Sequence, residues 1–240
     1  MTSISNSPIV VAMDVDNAKA CLDLASRLSP HHCKLKVGKE LFTSCGPQIV
    51  ETLMQKDFDI FLDLKFHDIP NTTAKAVKAA SDMGVWMVNV HASGGERMMM
   101  AAREILERST GPKPLLIAVT VLTSMDQEDL LGVGVPYSIE NQVERLAKLA
   151  HYCELDGIVC SAQEARQMRQ QFGKDFTLVT PGIRMVDSPA DDQRRTLTPV
   201  QALHEGSSYL VIGRPITGAA NPTEACEKIV NELVLNGFGA

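Results

Sequence analysis

An eight-stranded parallel barrel wrapped by helices, the (β/α)8 or TIM barrel of the α/β class, is the fold this sequence predicts. Three observations predict it. Short apolar runs of strand length alternate eight times with segments whose apolar residues recur at helical spacing, the pattern of repeated βαβ units. Aromatic residues are only 5% of the chain, so the core must rest on Val, Ile, Leu, Met and Ala, which suits a parallel sheet covered by helices. The turn after the first run reads Met13-Asp14-Val15-Asp16-Asn17, without the G-x-G-x-x-G expected of an open, doubly wound sheet. A length of 240 residues suits one such barrel, and residues 1–240 are read as a single domain.

The elements follow in order. Ile9-Val10-Val11-Ala12-Met13-Asp14 is an apolar run ending in an acid, the first strand. Asp16 or Asn17 can cap the next helix, whose Ala18, Cys21, Leu22, Ala25 and Leu28 share a face, and Pro30 closes it. Cys33 to Gly38 is the second strand, with Lys36 near its carboxyl end. Pro47 suits the first turn of a helix carrying Ile49, Val50, Leu53 and Met54 inward. Residues 59–66 form the third strand, and the helix after it, capped by Asn71 or Thr72, stops at Gly84. Trp86 to His91 is the fourth strand; its helix holds Met99, Ala102 and Leu106, and Met98-Met99-Met100 reads as core filling rather than a soft binding surface. Leu115 to Leu122 is the fifth strand. Residues 132–136 form a loop before a helix carrying Ile139, Val143, Leu146 and Ala150. Gly157 to Cys160 is the sixth strand, and Ser161-Ala162-Gln163-Glu164 is a capping box that starts the next helix. Thr177 to Thr180 and Tyr209 to Gly213 are the last two strands. Asn221-Pro222 opens the final helix, with Ala225, Ile229, Val230 and Leu233 inward.

Composition excludes several classes of function. Hydrophobic residues at 45% and charged residues at 22% are ordinary globular values, not those of a disordered chain. A net charge of −6 argues against a nucleic-acid-binding surface. No apolar run approaches the ~20 residues of a membrane span, and Met1 to Asn6 is no signal peptide, so a cytoplasmic protein is expected. Six cysteines without C-x-x-C spacing are expected to be reduced thiols, with no zinc site.

Chemistry concentrates in Asp59 to Thr72. Strand side chains alternate, so Asp63 and Lys65 share one face, roughly 6.6 Å apart along the strand. Burying two charges costs several kcal/mol per ion unless geometry compensates, and folding alone gives little reason for both. A structural ion pair is the competing reading. Asp68 follows just past the strand. Barrel enzymes place their sites at the carboxyl ends of the strands. Those ends carry Asp14, Lys36, Asp63, Lys65, His91, Thr123 with Ser124, Ser161, Pro181-Gly182-Ile183-Arg184 and Gly213-Arg214, a convergence that scattered surface charge would not produce. Arg184 and Arg214 follow the seventh and eighth strands, where barrels often bind phosphate, and a guanidinium fork matches that anion. Residues 185–198 form a long loop without clear periodicity, as functional lids do, and Gln193 is the polar residue there able to reach a phosphate. His91 reads equally as a hydrogen-bonded structural histidine and is left off the site.

Asp63-Leu64-Lys65-Phe66-His67-Asp68-Ile69-Pro70-Asn71-Thr72, with Leu35-Lys36-Val37-Gly38, Pro181-Gly182-Ile183-Arg184 and Ile212-Gly213-Arg214-Pro215, resembles orotidine 5′-phosphate decarboxylase of the bacterial type. The resemblance runs from Asp14 to the final helix. It implies an enzyme without cofactor or metal that converts orotidine 5′-monophosphate to uridine 5′-monophosphate (UMP) and carbon dioxide, the last step of de novo UMP synthesis. It implies a charged array of Lys36, Asp63, Lys65 and Asp68, with Lys65 as proton donor to C6. It further implies Asp14 and Lys36 as ribose contacts, Arg184, Gln193, Gly213 and Arg214 as phosphate ligands, and Thr123 and Ser124 at the pyrimidine or the lid. A homodimer is implied in which Asp68 and Thr72 reach the partner's site. Two rivals stand beside it. A magnesium-dependent sugar-phosphate decarboxylase or aldolase of the same superfamily would carry an acid where this chain has Lys36. A non-catalytic nucleotide-binding barrel would leave the charged array unexplained.

Overall fold

Eight apolar runs become parallel strands and close on one another. They are β1 (Ile9–Ala12), β2 (Lys34–Gly38), β3 (Ile60–Phe66), β4 (Met87–His91), β5 (Leu115–Val119), β6 (Gly157–Val159), β7 (Thr177–Thr180) and β8 (Tyr209–Ile212), with β8 pairing back onto β1. The computed structural model describes residues 5–185 and 196–238 of the chain. Parallel neighbours need crossovers, and helices supply them. In chain order these are α1 (Ala18–Ala25), α2 (Lys39–Cys45), α3 (Pro47–Met54), α4 (Pro70–Met83), α5 (Glu96–Glu107), α6 (Gln127–Gly132), α7 (Ile139–Tyr152), α8 (Ala165–Phe172), α9 (Pro199–His204), α10 (Arg214–Thr217) and α11 (Pro222–Leu235). No described helix is long and apolar enough to cross a membrane.

Alternation along the strands divides the core in two. Ile9, Val11, Leu35, Val37, Ile60, Leu62, Val88 and Val90 pack outward against the helices, where Met98 and Met99 also lie buried as core filling while Met100 is exposed. Val10, Ala12, Phe61, Met87, Ile117, Val179 and Val211 fill the barrel interior. The interior is tight at β6, where any Cβ on Gly157 would strike the Thr177 carbonyl of β7.

Several boundaries differ from the sequence expectation for identifiable reasons. Asn17 rather than Asp16 caps α1, accepting the Ala20 N–H at 2.9 Å. Neither Asn71 nor Thr72 caps α4: Ile69 holds that place, Pro70 is the first helical residue, and Asp68 Oδ1 takes the Ile69 N–H at 2.6 Å. Proline suits that first position because it has no N–H to satisfy. Glu164 accepts the Ser161 N–H at 2.8 Å, but Ser161 Oγ takes the Gln163 N–H, so residues 161–164 form a turn and α8 begins at Ala165. β5 ends at Val119, after which the Thr120 N–H and hydroxyl both reach the Val159 carbonyl. The short helices α2, α6, α9 and α10 were not anticipated; four to seven residues are too few to display a helical period.

The amino-terminal end of the barrel is closed by an unanticipated lysine. Lys34 points inward from β2 and is 2% exposed. Its ammonium donates to the Ser5 carbonyl at 2.6 Å and the Ser7 carbonyl at 3.3 Å, lies 4.0 Å from Asp59, and sits over the Trp86 and Tyr209 rings. Burial pushes its pKa below the ordinary lysine value, and the Asp59 carboxylate opposes that shift. Lys34→Ala strands two carbonyls and opens a void, so it should lower stability by about 3 kcal/mol. Because Lys34 lies at the opposite end of the strand from Gly38, ligand affinity at the carboxyl-end rim should stay unchanged. Denaturant titration beside a binding isotherm checks both.

Candidate active site

At the carboxyl end of the barrel, β1, β2 and β3 deliver charge into one pocket. The cavity, about 140 Å³, is lined by Asp14, Lys36, Lys39, Asp63 and Lys65 among others. Asp14 lies two residues past β1 and is mostly exposed, while Lys36 and Asp63 point inward from β2 and β3 and are 8% exposed each. The contacts form a chain of alternating sign: Asp14 to Lys36 at 3.3 Å, Lys36 to Asp63 at 3.4 Å, and Asp63 to Lys65 at 2.7 Å. Gly38 keeps the space open, since a Cβ there would lie 3.2 Å from Lys36 Nζ.

β3 is not a regular strand where it matters most. Its pairing with β4 runs Leu62 to Val88 and then Phe66 to Val90, so four residues of β3 pass while β4 advances two. Within this bulge Lys65 adopts φ 53°, the left-handed region. That conformation costs a residue with a Cβ about 1–2 kcal/mol. Asp63 and Lys65 therefore meet through a bulge that turns the lysine back onto the carboxylate, rather than through simple alternation. Asn89 of β4, completely buried, holds the bulge from across the sheet: its Oδ1 accepts the Lys65 N–H at 2.8 Å and its Nδ2 donates to Asp63 Oδ1 at 2.7 Å.

The array is close to electrostatic balance. The buried Lys36–Asp63 contact at 3.4 Å is worth about 5 kcal/mol at an effective dielectric constant of about 20, against several kcal/mol of lost hydration per ion, while solvent screens the contact to the exposed Asp14. Burial alone would raise the Asp63 pKa. The charges of Lys36 and Lys65, with hydrogen bonds from Lys65 and Asn89, outweigh burial and hold it below the ordinary aspartate value. Asp63 is an ion in a place that would otherwise neutralise it.

Most of the other expected site residues follow the carboxyl ends of other strands. Gly213 follows β8 directly, and a Cβ there would lie 3.6 Å from Asp14 Oδ2. Arg214 opens α10 and is exposed. Arg184 is half-buried after β7; its N–H meets the Leu197 carbonyl at 3.0 Å and its Nη1 donates to the Ile183 carbonyl at 2.9 Å. Thr123 is buried and Ser124 exposed in the segment after β5. Gln193 lies outside the described residues. Asp68 and Thr72 are exposed, and among the described residues no ion pair joins Asp68 to Lys36 or Lys65. The barrel thus brings Asp14, Lys36, Asp63 and Lys65 together and leaves Asp68 outside the contact chain. Sequence reasoning missed Asn89 and Lys39; the available signal for Asn89 was an amide inside the apolar run Trp86 to Val90.

Residues 7–229 match the family described as Orotidine 5′-phosphate decarboxylase / HUMPS. The chain is 56% identical over 238 residues to an orotidine 5′-phosphate decarboxylase of Saccharophagus degradans, covering 99% of this chain and 100% of that one. It is 61% identical over 231 residues to one of Pseudomonas aeruginosa, covering 96% and 99%. The crystal structure of orotidine 5′-phosphate decarboxylase from Lactobacillus acidophilus superposes with a TM-score of 0.84 at 38% identity, covering 98% of this chain and all of that one.

His91 ends β4 beside the array, its ring stacked on His67 at 5.4 Å and its Nδ1 3.1 Å from Ser93 Oγ. Burial first, then the neighbouring His67, Lys65 and Lys39, lower its pKa from 6.5 to about 4. The unfolded chain therefore binds a proton between pH 6.5 and about 4 that the folded protein refuses, so stability falls as pH drops through that window. His91→Asn should flatten that part of the stability–pH curve, measured by denaturation midpoints across the window.

Proposed function

The chain belongs to the orotidine 5′-phosphate decarboxylase / HUMPS family, and from that membership we propose how its residues divide the work. The protein decarboxylates orotidine 5′-monophosphate to UMP in pyrimidine biosynthesis. The single observation that carries the division of roles is the contact chain Asp14–Lys36–Asp63–Lys65, with Lys36 and Asp63 buried at its centre.

Breaking the bond from C6 to the carboxylate releases carbon dioxide and leaves an electron pair at C6, in an orbital the ring delocalises poorly. Fixed charge aimed at that carbon is the remedy available to side chains, and preorganised electrostatics is usually the largest catalytic contribution. Lys65 carries it: its ammonium faces the developing negative charge, then gives C6 a proton, and the amine recovers its proton from solvent. No cofactor enters this scheme. Asp63 stands beside the departing carboxylate and holds Lys65 and Lys36 in place. Lys36 also occupies, as an ammonium 3.4 Å from Asp63, the position a divalent cation would have to share, which disfavours the magnesium-dependent reading.

Asp14 and Lys36 bind the ribose, and Arg184, Gln193, Gly213 and Arg214 bind the phosphate. Thr123 and Ser124 meet the pyrimidine or the segment that closes over it. Phosphate contacts remote from C6 supply binding energy for orientation at the reacting carbon. Asp68 and Thr72, exposed on the chain that carries them, complete the site of a second subunit in a homodimer. A cytoplasmic location accords with the biosynthetic role.

Lys65→Ala should abolish turnover, followed by the loss of orotidine 5′-monophosphate absorbance, while UMP still binds; near-normal turnover would remove Lys65 from the donor role. Arg214→Ala should lower kcat/KM by about 10–100-fold, the worth of a charge-assisted hydrogen bond. Mixing Lys65→Ala with Asp68→Ala subunits should restore part of the activity through one intact site per heterodimer, and none if each barrel uses its own Asp68.

A further inference from the structure

Asn89 lies outside the set of groups assigned to substrate, yet among the described residues it is the one side chain bonded to both members of the Asp63–Lys65 pair. It is 0% exposed on the inner face of β4. Its two bonds have opposite sense. The Lys65 backbone N–H can only donate, so it requires the amide oxygen, at 2.8 Å; the Asp63 carboxylate can only accept, so it requires the amide nitrogen, at 2.7 Å. Both bonds cross the point where β3 and β4 lose register, and one of them grips the residue whose backbone is left-handed. Asp63 Oδ1 receives Asn89 and Lys65 together, which leaves Oδ2 for Lys36.

Resting on the assignment of Lys65 as proton donor, we propose that Asn89 is a positioning residue for the decarboxylation. Through the Lys65 N–H it fixes the bulge that aims the lysine side chain at C6, and through Asp63 Oδ1 it fixes the rotation of the carboxylate between its two ammonium partners. Neither aspartate, with two acceptors, nor leucine, with no polar atom, can serve both bonds. Asn89 acts through its neighbours and does not touch the reacting atoms.

The groups facing Asp63 are Lys36 from β2 and Lys65 from its own strand, with Asp14 beyond Lys36 and His91 beyond Lys65. Asn89→Asp keeps the shape and the acceptor for the Lys65 N–H but sets a second carboxylate against Asp63. Two carboxylates sharing a site hold a proton to higher pH.

The test uses the full-length enzyme, with rates expressed per UMP-binding site so that poorly folded material is not counted. Asn89→Ala should lower kcat by about 100-fold, the scale of a small misplacement of a reacting group, with KM and UMP affinity little changed. Asn89→Asp should move the acidic limb of the kcat/KM profile to higher pH. A purely structural asparagine would lower the melting temperature in Asn89→Ala and leave its kcat per site alone. An Asn89→Ala kcat within about threefold of the parent, or an Asn89→Asp profile superimposed on the parent's, overturns the proposal. Lys65→Ala, run beside them, separates the two failures: if it keeps turnover the donor assignment falls, and if it is inactive while Asn89→Ala is not, only the positioning role falls.

Discussion

Asp63 is a carboxylate almost wholly removed from water that nonetheless stays ionised, and the surrounding barrel is arranged around keeping it so. Two ammonium groups approach it from different strands, and a buried amide fixes its remaining freedom. Loss of both ammonium partners would leave an uncompensated charge in the interior, an outcome costing several kcal/mol. The array is thus a poor way to stabilise a fold and a good way to hold charge ready for a reaction. Its charged members come from the end of β1, from β2 and from β3, with the amide from β4, and the approach of Lys36 to Asp63 depends on the closed, parallel register that brings Gly38 opposite Asp63.

The two ends of the barrel treat buried charge differently. At the amino-terminal end, Lys34 is closed off by carbonyls, rings and a carboxylate, and its surroundings leave it no access to a ligand. At the carboxyl end, two residues further along the same strand and on the same inner face, Lys36 lines a cavity. The same residue type on one strand therefore serves as a plug in one layer and as part of a reactive array in the next. Strand period alone cannot tell these apart; what separates them is whether the next turn of chain covers the ammonium or leaves space, as Gly38 does.

This distinction also marks how much was readable from residues alone. Strands and long helices were legible because apolar runs and helical spacing repeat over enough residues to establish a period, and the closed barrel followed from their alternation. Asp63 and Lys65 were legible because they violate an apolar pattern at a strand's carboxyl end. Their true geometry was not, because it rests on a bulge, and a bulge is a property of two strands in register rather than of either sequence. Asn89 escaped for the same reason: an amide in the run Trp86 to Val90 gains its meaning only when its partners across the sheet are known. Asp68 was legible as an acid near the centre, but one barrel does not bring it into the contact chain.

The central claim is that Lys65, held by this array, delivers the proton to C6. A crystal structure with bound UMP tests it most directly. The account predicts Lys65 Nζ within about 3.5 Å of C6 while Asp63 keeps its contacts to Lys36, Lys65 and Asn89. A pyrimidine bound with C6 turned away from Lys65, beyond reach of its ammonium even through one water, would contradict it.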